Sequence, residues 1–165
     1  EGWLNDPAMR ESFLNRIFTH RRLRHGLETT GHDVMVKLHA AHKFLYMAHS
    51  PPGQTELGRI VANAGRLAPD ELRSKYVAKA MQVMSVRVTR GRHANVLQHI
   101  FGFFKDRLHT AEKRDALRVI SEYRSGVQPH MAPLMLLHHL LTRYDLSAWL
   151  SSQVYFEPYP RPLVA

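Results

Sequence analysis

The chain has 165 residues, 44% hydrophobic and 22% charged, which fits one globular domain with its own core. It contains no cysteine, so disulfides, zinc ribbons, iron–sulfur ligation and a thiol nucleophile are excluded within this chain. Lys and Arg number 23 against 14 Asp and Glu, a net charge of +9 with a pI near 10.3. Seventeen of the basic residues are arginine, whose planar fork suits phosphate, so a polyanion, nucleic acid first, is the expected partner. The longest apolar run, "MAPLMLLHHLL" from Met131, is broken by His138 and His139 and is too short to span a membrane. No signal-peptide pattern precedes it. A cytoplasmic protein with no membrane partner is expected.

In chain order the pattern predicts helices with short punctuation. Asp6 and Pro7 open the first, Phe13, Ile17 and Leu14 set its apolar face, and Gly26 ends it. Arg21, Arg22 and Arg24 in its last turns complement the helix dipole. A second helix runs from His32 to His49 and stops at "SPPG". A third runs from Gln54 or Thr55 to Ala64, and a fourth from Pro69 to about Val88. Thr89 can cap a fifth, and Thr110 a sixth that stops at Gly126. "APLMLLHHLLTRY" is a seventh, with adjacent His138 and His139 about 100° apart, so that one of them at most faces a site. Asp145 can cap a short eighth around "LSAWL". The tail "QVYFEPYPRPLVA" reads as extended, lying across the bundle on Tyr155, Phe156 and Tyr159. Short connections make consecutive helices neighbours. The fold class is all-α, a single compact bundle of seven to eight helices with an extended C-terminal tail.

The second helix carries "HAAHKFLYMAHSPPG", from His39. At 100° per residue Val34, Leu38, Ala41, Leu45 and Ala48 share one apolar stripe, widened by Ala40, Phe44 and Met47. Met35, His39, His42, Tyr46 and His49 form a stripe on its flank, with Lys43 beside it. Four chemistries suit such a stripe. A metal site on His39 and His42 lacks a nearby cysteine or an H-E-x-x-H pattern. Acid/base catalysis lacks an identifiable partner pattern. An RNA groove would use Lys43 on phosphate, the imidazoles on phosphate or base edges, and Tyr46 for stacking. Ordinary helix packing with internally bonded histidines needs no ligand.

"RVTRGRHANVLQHIFGFFK" adds a second constellation. Val96, Leu97, Ile100, Phe103 and Phe104 give its apolar face, while Arg92, Asn95, His99, Gly102 and Asp106 line another stripe. A glycine there admits a close neighbour, a helix or a nucleic acid. Arg87, Arg90, Arg92 and His93 crowd the N-terminus of this helix, where backbone N–H groups already favour an anion.

These segments resemble the YbgA-like family, once classed as a domain of unknown function. The likeness rests on "LNDPAMRESFLNRIF", "KLHAAHKFLYMAHSP", "ELGRIVANAG", "GRHANVLQHIFGFFK", "LLHHLLTRY" and "QVYFEPYP", in the family's order. Such domains often follow a thiouracil-desulfidase-type domain, and "EGWLNDP" resembles the junction. The resemblance implies a two-domain bacterial protein, of which residues 1–165 are the C-terminal part, that removes sulfur from 4-thiouridine in tRNA. Its [4Fe-4S] cluster would sit in the fused or partner desulfidase domain. No cofactor, metal or catalytic residue is expected in this chain, whose implied role is to bind and position tRNA. His39, His42, Lys43, Tyr46, Arg87, Arg90, Arg92, His93, Asn95 and His99 are the expected nucleic-acid-binding residues, with His49 fastening the turn before Pro51. The alternatives are a histidine-dependent enzyme acting on a phosphate ester through His39, His42, His93 or His99, and a helical protein-interaction module.

Overall fold

A computed structural model describes residues 6–28, 32–145 and 147–160; the junction-like start at residues 1–5, Leu146 and the end of the tail lie outside them. Among the described residues there are eight α-helices and no strand: α1 (Pro7–Gly26), α2 (His32–His49), α3 (Pro51–Ala62), α4 (Pro69–Met84), α5 (Arg90–Gly102), α6 (Thr110–Ser125), α7 (Met131–Arg143) and α8 (Ala148–Ser151). None is long and apolar enough to cross a membrane.

The helix ends follow from capping chemistry, in places differently from the sequence expectation. The double proline is not a linker. Ser50 alone separates α2 from α3, its hydroxyl accepts the Gly53 N–H, and the prolines occupy the first turn, where a missing N–H costs nothing. Gly53 also lies against α4: a Cβ there would come within 2.5 Å of a Val83 methyl. α4 stops at Met84 rather than Val88. Thr89 caps α5 as expected, accepting the Arg92 N–H. α6 is capped by His109 rather than Thr110, because the Glu112 carboxylate reaches back to the His109 N–H at 3.0 Å. Gly126 ends α6 at φ 90°, a backbone that glycine adopts without strain. Ser147, not Asp145, caps α8.

α2 is the central element. It packs on α1, α3, α4, α5 and the turn at Val154–Phe156. Tyr46, Tyr76, Phe44, Phe104, Leu23 and Ile100 are fully buried around it, each contributing about 1.5–3 kcal/mol of apolar burial. α1 turns a different face inward from the one expected. Asn15, Thr19, Leu23 and Leu27 are buried, whereas Phe13 and Ile17 are 42% and 44% exposed. Four-residue spacing puts Glu11 in line with Asn15 and Thr19, so this end of the interior is polar.

The tail opens with a 3₁₀ turn at Val154–Phe156 and then runs on without helix or strand to residue 160. It is fastened at three places. Gln153 donates to the Ala40 carbonyl at 2.8 Å, Arg22 donates to the Pro158 carbonyl at 2.6 Å, and Tyr155 is buried. Arg22, read as part of a basic cluster, is thus a clasp between α1 and the tail.

Candidate functional site

The flanking stripe of α2 lies inside the bundle, not on a groove. His42 and Tyr46 are 1% and 0% exposed, and His49 is also fully buried. Of the apolar stripe, Leu45 and Ala48 are buried as expected, while Val34, Leu38 and Ala41 are only half-buried. The His42 ring donates from Nδ1 to the Leu38 carbonyl at 2.8 Å and stacks on Tyr46 at 5.5 Å. Burial pushes its pKa down to about 4, against the opposing pull of the Leu38 bond. His49 donates to the Val86 carbonyl at 2.7 Å, so it fastens α2 to the segment before α5 rather than the turn before Pro51. His39 is half-buried and bonds the Tyr76 hydroxyl at 3.2 Å. The placement of His42 and Tyr46 as a base-contacting wall is therefore corrected: neither presents an accessible surface, because the buried face of α2 is wider than its aliphatic stripe.

The start of α5 divides in the same way. Arg87 and Arg90 are exposed. Arg90 donates to the Tyr123 carbonyl at 3.3 Å with its guanidinium 5.5 Å from that ring. Arg92 donates to the carbonyls of His49 (2.8 Å) and Arg87 (3.1 Å). Both bonds come from Nη1, so that nitrogen is committed to the backbone. His93 is buried, so it too is removed from any outer binding face.

An accessible polar and aromatic face does exist. Asn95, Gln98, His99, Gly102 and Phe103 line a shallow cleft of about 430 Å³. Gly102 faces open space, so no neighbouring helix explains it. Phe103, expected in the core, is 56% exposed and lies edge-on to half-buried Trp149, ring centroids 5.7 Å apart. The Lys43 ammonium sits 5.8 Å from the Trp149 ring and 5.9 Å from that of Phe44. Lys43, Asn95 and His99 are thus joined by Phe103 and Trp149, which sequence periodicity had assigned to packing or passed over.

A second cluster was not foreseen at all. His93 from α5 and His130, just before α7, face each other with ring centroids 4.0 Å apart. The buried Tyr155 hydroxyl bonds both, His93 Nδ1 at 2.8 Å and His130 Nε2 at 3.1 Å. Glu11 of α1 joins them: one atom from each of Glu11, His93 and His130 lies within 4.8 Å of the others. Burial holds the imidazoles at about 2 and about 4, and raises the Glu11 carboxyl above its ordinary range. The neighbouring Asn15 Oδ1 is buried with no hydrogen-bond partner. Two clefts meet here. One, of about 300 Å³, is lined by both His138 and His139 and by the tail, so the adjacent histidines flank a single wide cleft. The other, of about 380 Å³, runs past Arg87, Thr89 and Arg90. Three distant segments supply the cluster, so no local motif could have announced it.

The fold and these features define a basic, cysteine-free helical domain with one aromatic–cationic face and one buried histidine–carboxylate cluster. The chain belongs to the family described as Protein of unknown function (DUF1722), whose model matches residues 43–160. It is 35% identical over 163 residues to "Uncharacterized protein YbgA" of Escherichia coli (strain K12), covering 96% of this chain and 94% of that one. No solved structure matches it.

Proposed function

We propose that this chain is a non-catalytic tRNA-binding domain that positions thiolated tRNA for a 4-thiouridine desulfidase, whose [4Fe-4S] chemistry resides in a fused or separate cytoplasmic domain. The observation that carries this reading is the face built by Lys43, Phe103, Trp149, Asn95 and His99. An exposed ring beside a cation and amide or imidazole donors is what unpaired, splayed bases bind. The excess of arginine over the chain as a whole supplies further phosphate contacts. His42, Tyr46 and His93 are buried and Arg92 is bonded to backbone carbonyls, so we leave these four out of its contact set.

The test is tRNA binding by the full chain, measured by filter retention across a salt series. Tight binding at low salt with a linear fall of log K against log salt supports the reading. Absence of binding at low salt, or affinity unchanged in Lys43→Ala and Phe103→Ala, refutes it.

A further inference from the structure

We infer that Glu11, His93 and His130 form a mononuclear site for a divalent transition-metal ion, open on one side to the two clefts. The inference does not rest on the tRNA reading. The three donors come from α1, α5 and the residue preceding α7, and their atoms already lie within 4.8 Å of one another. A tetrahedral or octahedral ion needs donor atoms roughly 3–3.5 Å apart, so the three donors must draw closer when it binds. Two imidazoles and one carboxylate select a borderline ion such as Zn²⁺, Fe²⁺ or Co²⁺ over Mg²⁺ or Ca²⁺, which take oxygen donors.

Three further observations fit a metal rather than plain packing. Among the described residues Glu11 forms no hydrogen bond and no ion pair, although it is partly buried beside two imidazoles. An ionised carboxylate in that position is costly unless a cation accompanies it, the alternative being the neutral acid. Tyr155 bonds one nitrogen of each ring, leaving each the other nitrogen and fixing ring orientation as partners of metal-binding histidines do. Three protein ligands leave at least one coordination position, the arrangement of reactive rather than structural metal sites. That position faces space bordered by Asn15 Oδ1, unpartnered and 3% exposed, and by Arg87 and Arg90. Asn15 Oδ1 accepts a hydrogen bond, so a metal-bound water is the remaining ligand that suits it, while the guanidinium groups of Arg87 and Arg90 suit an anionic oxygen beyond.

The test uses the full chain, freed of metal with a chelator and titrated with Co²⁺, read by visible d–d absorption and by metal content after equilibrium dialysis. One equivalent is expected to bind. Glu11→Gln and His130→Gln are expected to weaken it at least about tenfold while keeping the helical circular dichroism, and His20→Ala, which alters an exposed histidine on α1, is expected to bind like the parent. His93→Gln changes a buried ring and is not relied upon. No stoichiometric Co²⁺, equal affinity in the Glu11 and His130 variants, or equal loss in His20→Ala overturns the site.

Discussion

Arg92 of α5 is hydrogen-bonded to the backbone carbonyl of His49, the last residue of α2, at 2.8 Å. The carbonyls at a helix C-terminus lack intrahelical partners, and a guanidinium there also complements the dipole. With its second bond to Arg87, Arg92 joins α2, α5 and the connection between α4 and α5. Arg92→Ala is expected to lower stability by about 1–3 kcal/mol, since charged hydrogen bonds to carbonyls are lost, and Arg92→Lys by less. Urea denaturation measures this. The tRNA affinity of the folded protein is expected to hold; a large loss of binding with unchanged stability would return Arg92 to the phosphate contacts.

Phe103 gives the cleanest separation of binding from folding. Its ring is more than half exposed, so Phe103→Ala leaves little cavity and little change in melting temperature. If a base stacks on it, affinity for tRNA falls by about 1–3 kcal/mol. Lys43→Ala is expected to weaken binding and also to flatten the salt dependence, because a phosphate contact contributes to that slope. A Phe103 variant that also loses its salt slope would point to misfolding of α5 rather than to lost stacking.

The helix count and most boundaries were legible because capping residues are local: Thr89 and Gly126 act within one turn. Burial was less legible. On α1 the alternation of Phe13 and Ile17 with charged residues imitates a core face, yet the chain buries Asn15 and Thr19. On α2 aliphatic periodicity could not reveal that His42 and Tyr46 go inward. The bond to Leu38 satisfies one nitrogen of His42, and neither that bond nor the ring stacking on Tyr46 is encoded by spacing. Arg92 and His93 are neighbours in one motif but serve a helix end and a buried cluster respectively. The His93–His130–Tyr155 contact joins positions far apart in sequence, and only tertiary packing brings them together.

Acid is expected to destabilise the fold through His42. Its folded pKa lies near 4, below the ordinary 6.5, with burial the main cause and nearby Arg22 and His39 acting in the same direction. On acidification the unfolded chain takes the proton first. The stabilisation is therefore fully present above about pH 6.5, declines through the interval down to 4, and is gone below it. A separation of this size corresponds to roughly 3 kcal/mol. Denaturation midpoints measured from pH 7 to pH 4 are expected to fall, and His42→Phe, a ring without a proton site, should show a shallower fall. An NMR titration that finds His42 protonating near 6.5 would contradict this.

Tyr155 is expected to matter through its hydroxyl rather than its ring. The ring is buried and the oxygen lies between His93 Nδ1 and His130 Nε2. The phenol has one proton, so in the metal-free protein one imidazole accepts from it and the other donates to its oxygen; because the contacts are to Nδ1 of His93 and Nε2 of His130, both rings then carry the same tautomer. Tyr155→Phe keeps the packing but leaves two ring nitrogens without partners, a loss of about 1–3 kcal/mol for each group left unsatisfied. Thermal melts measure the loss. The ¹⁵N shifts of the two imidazoles report the rest: one single tautomer, the same on both rings, in the metal-free parent and tautomer mixtures in Tyr155→Phe. Unchanged shifts in the variant would mean that the hydroxyl does not orient the pair.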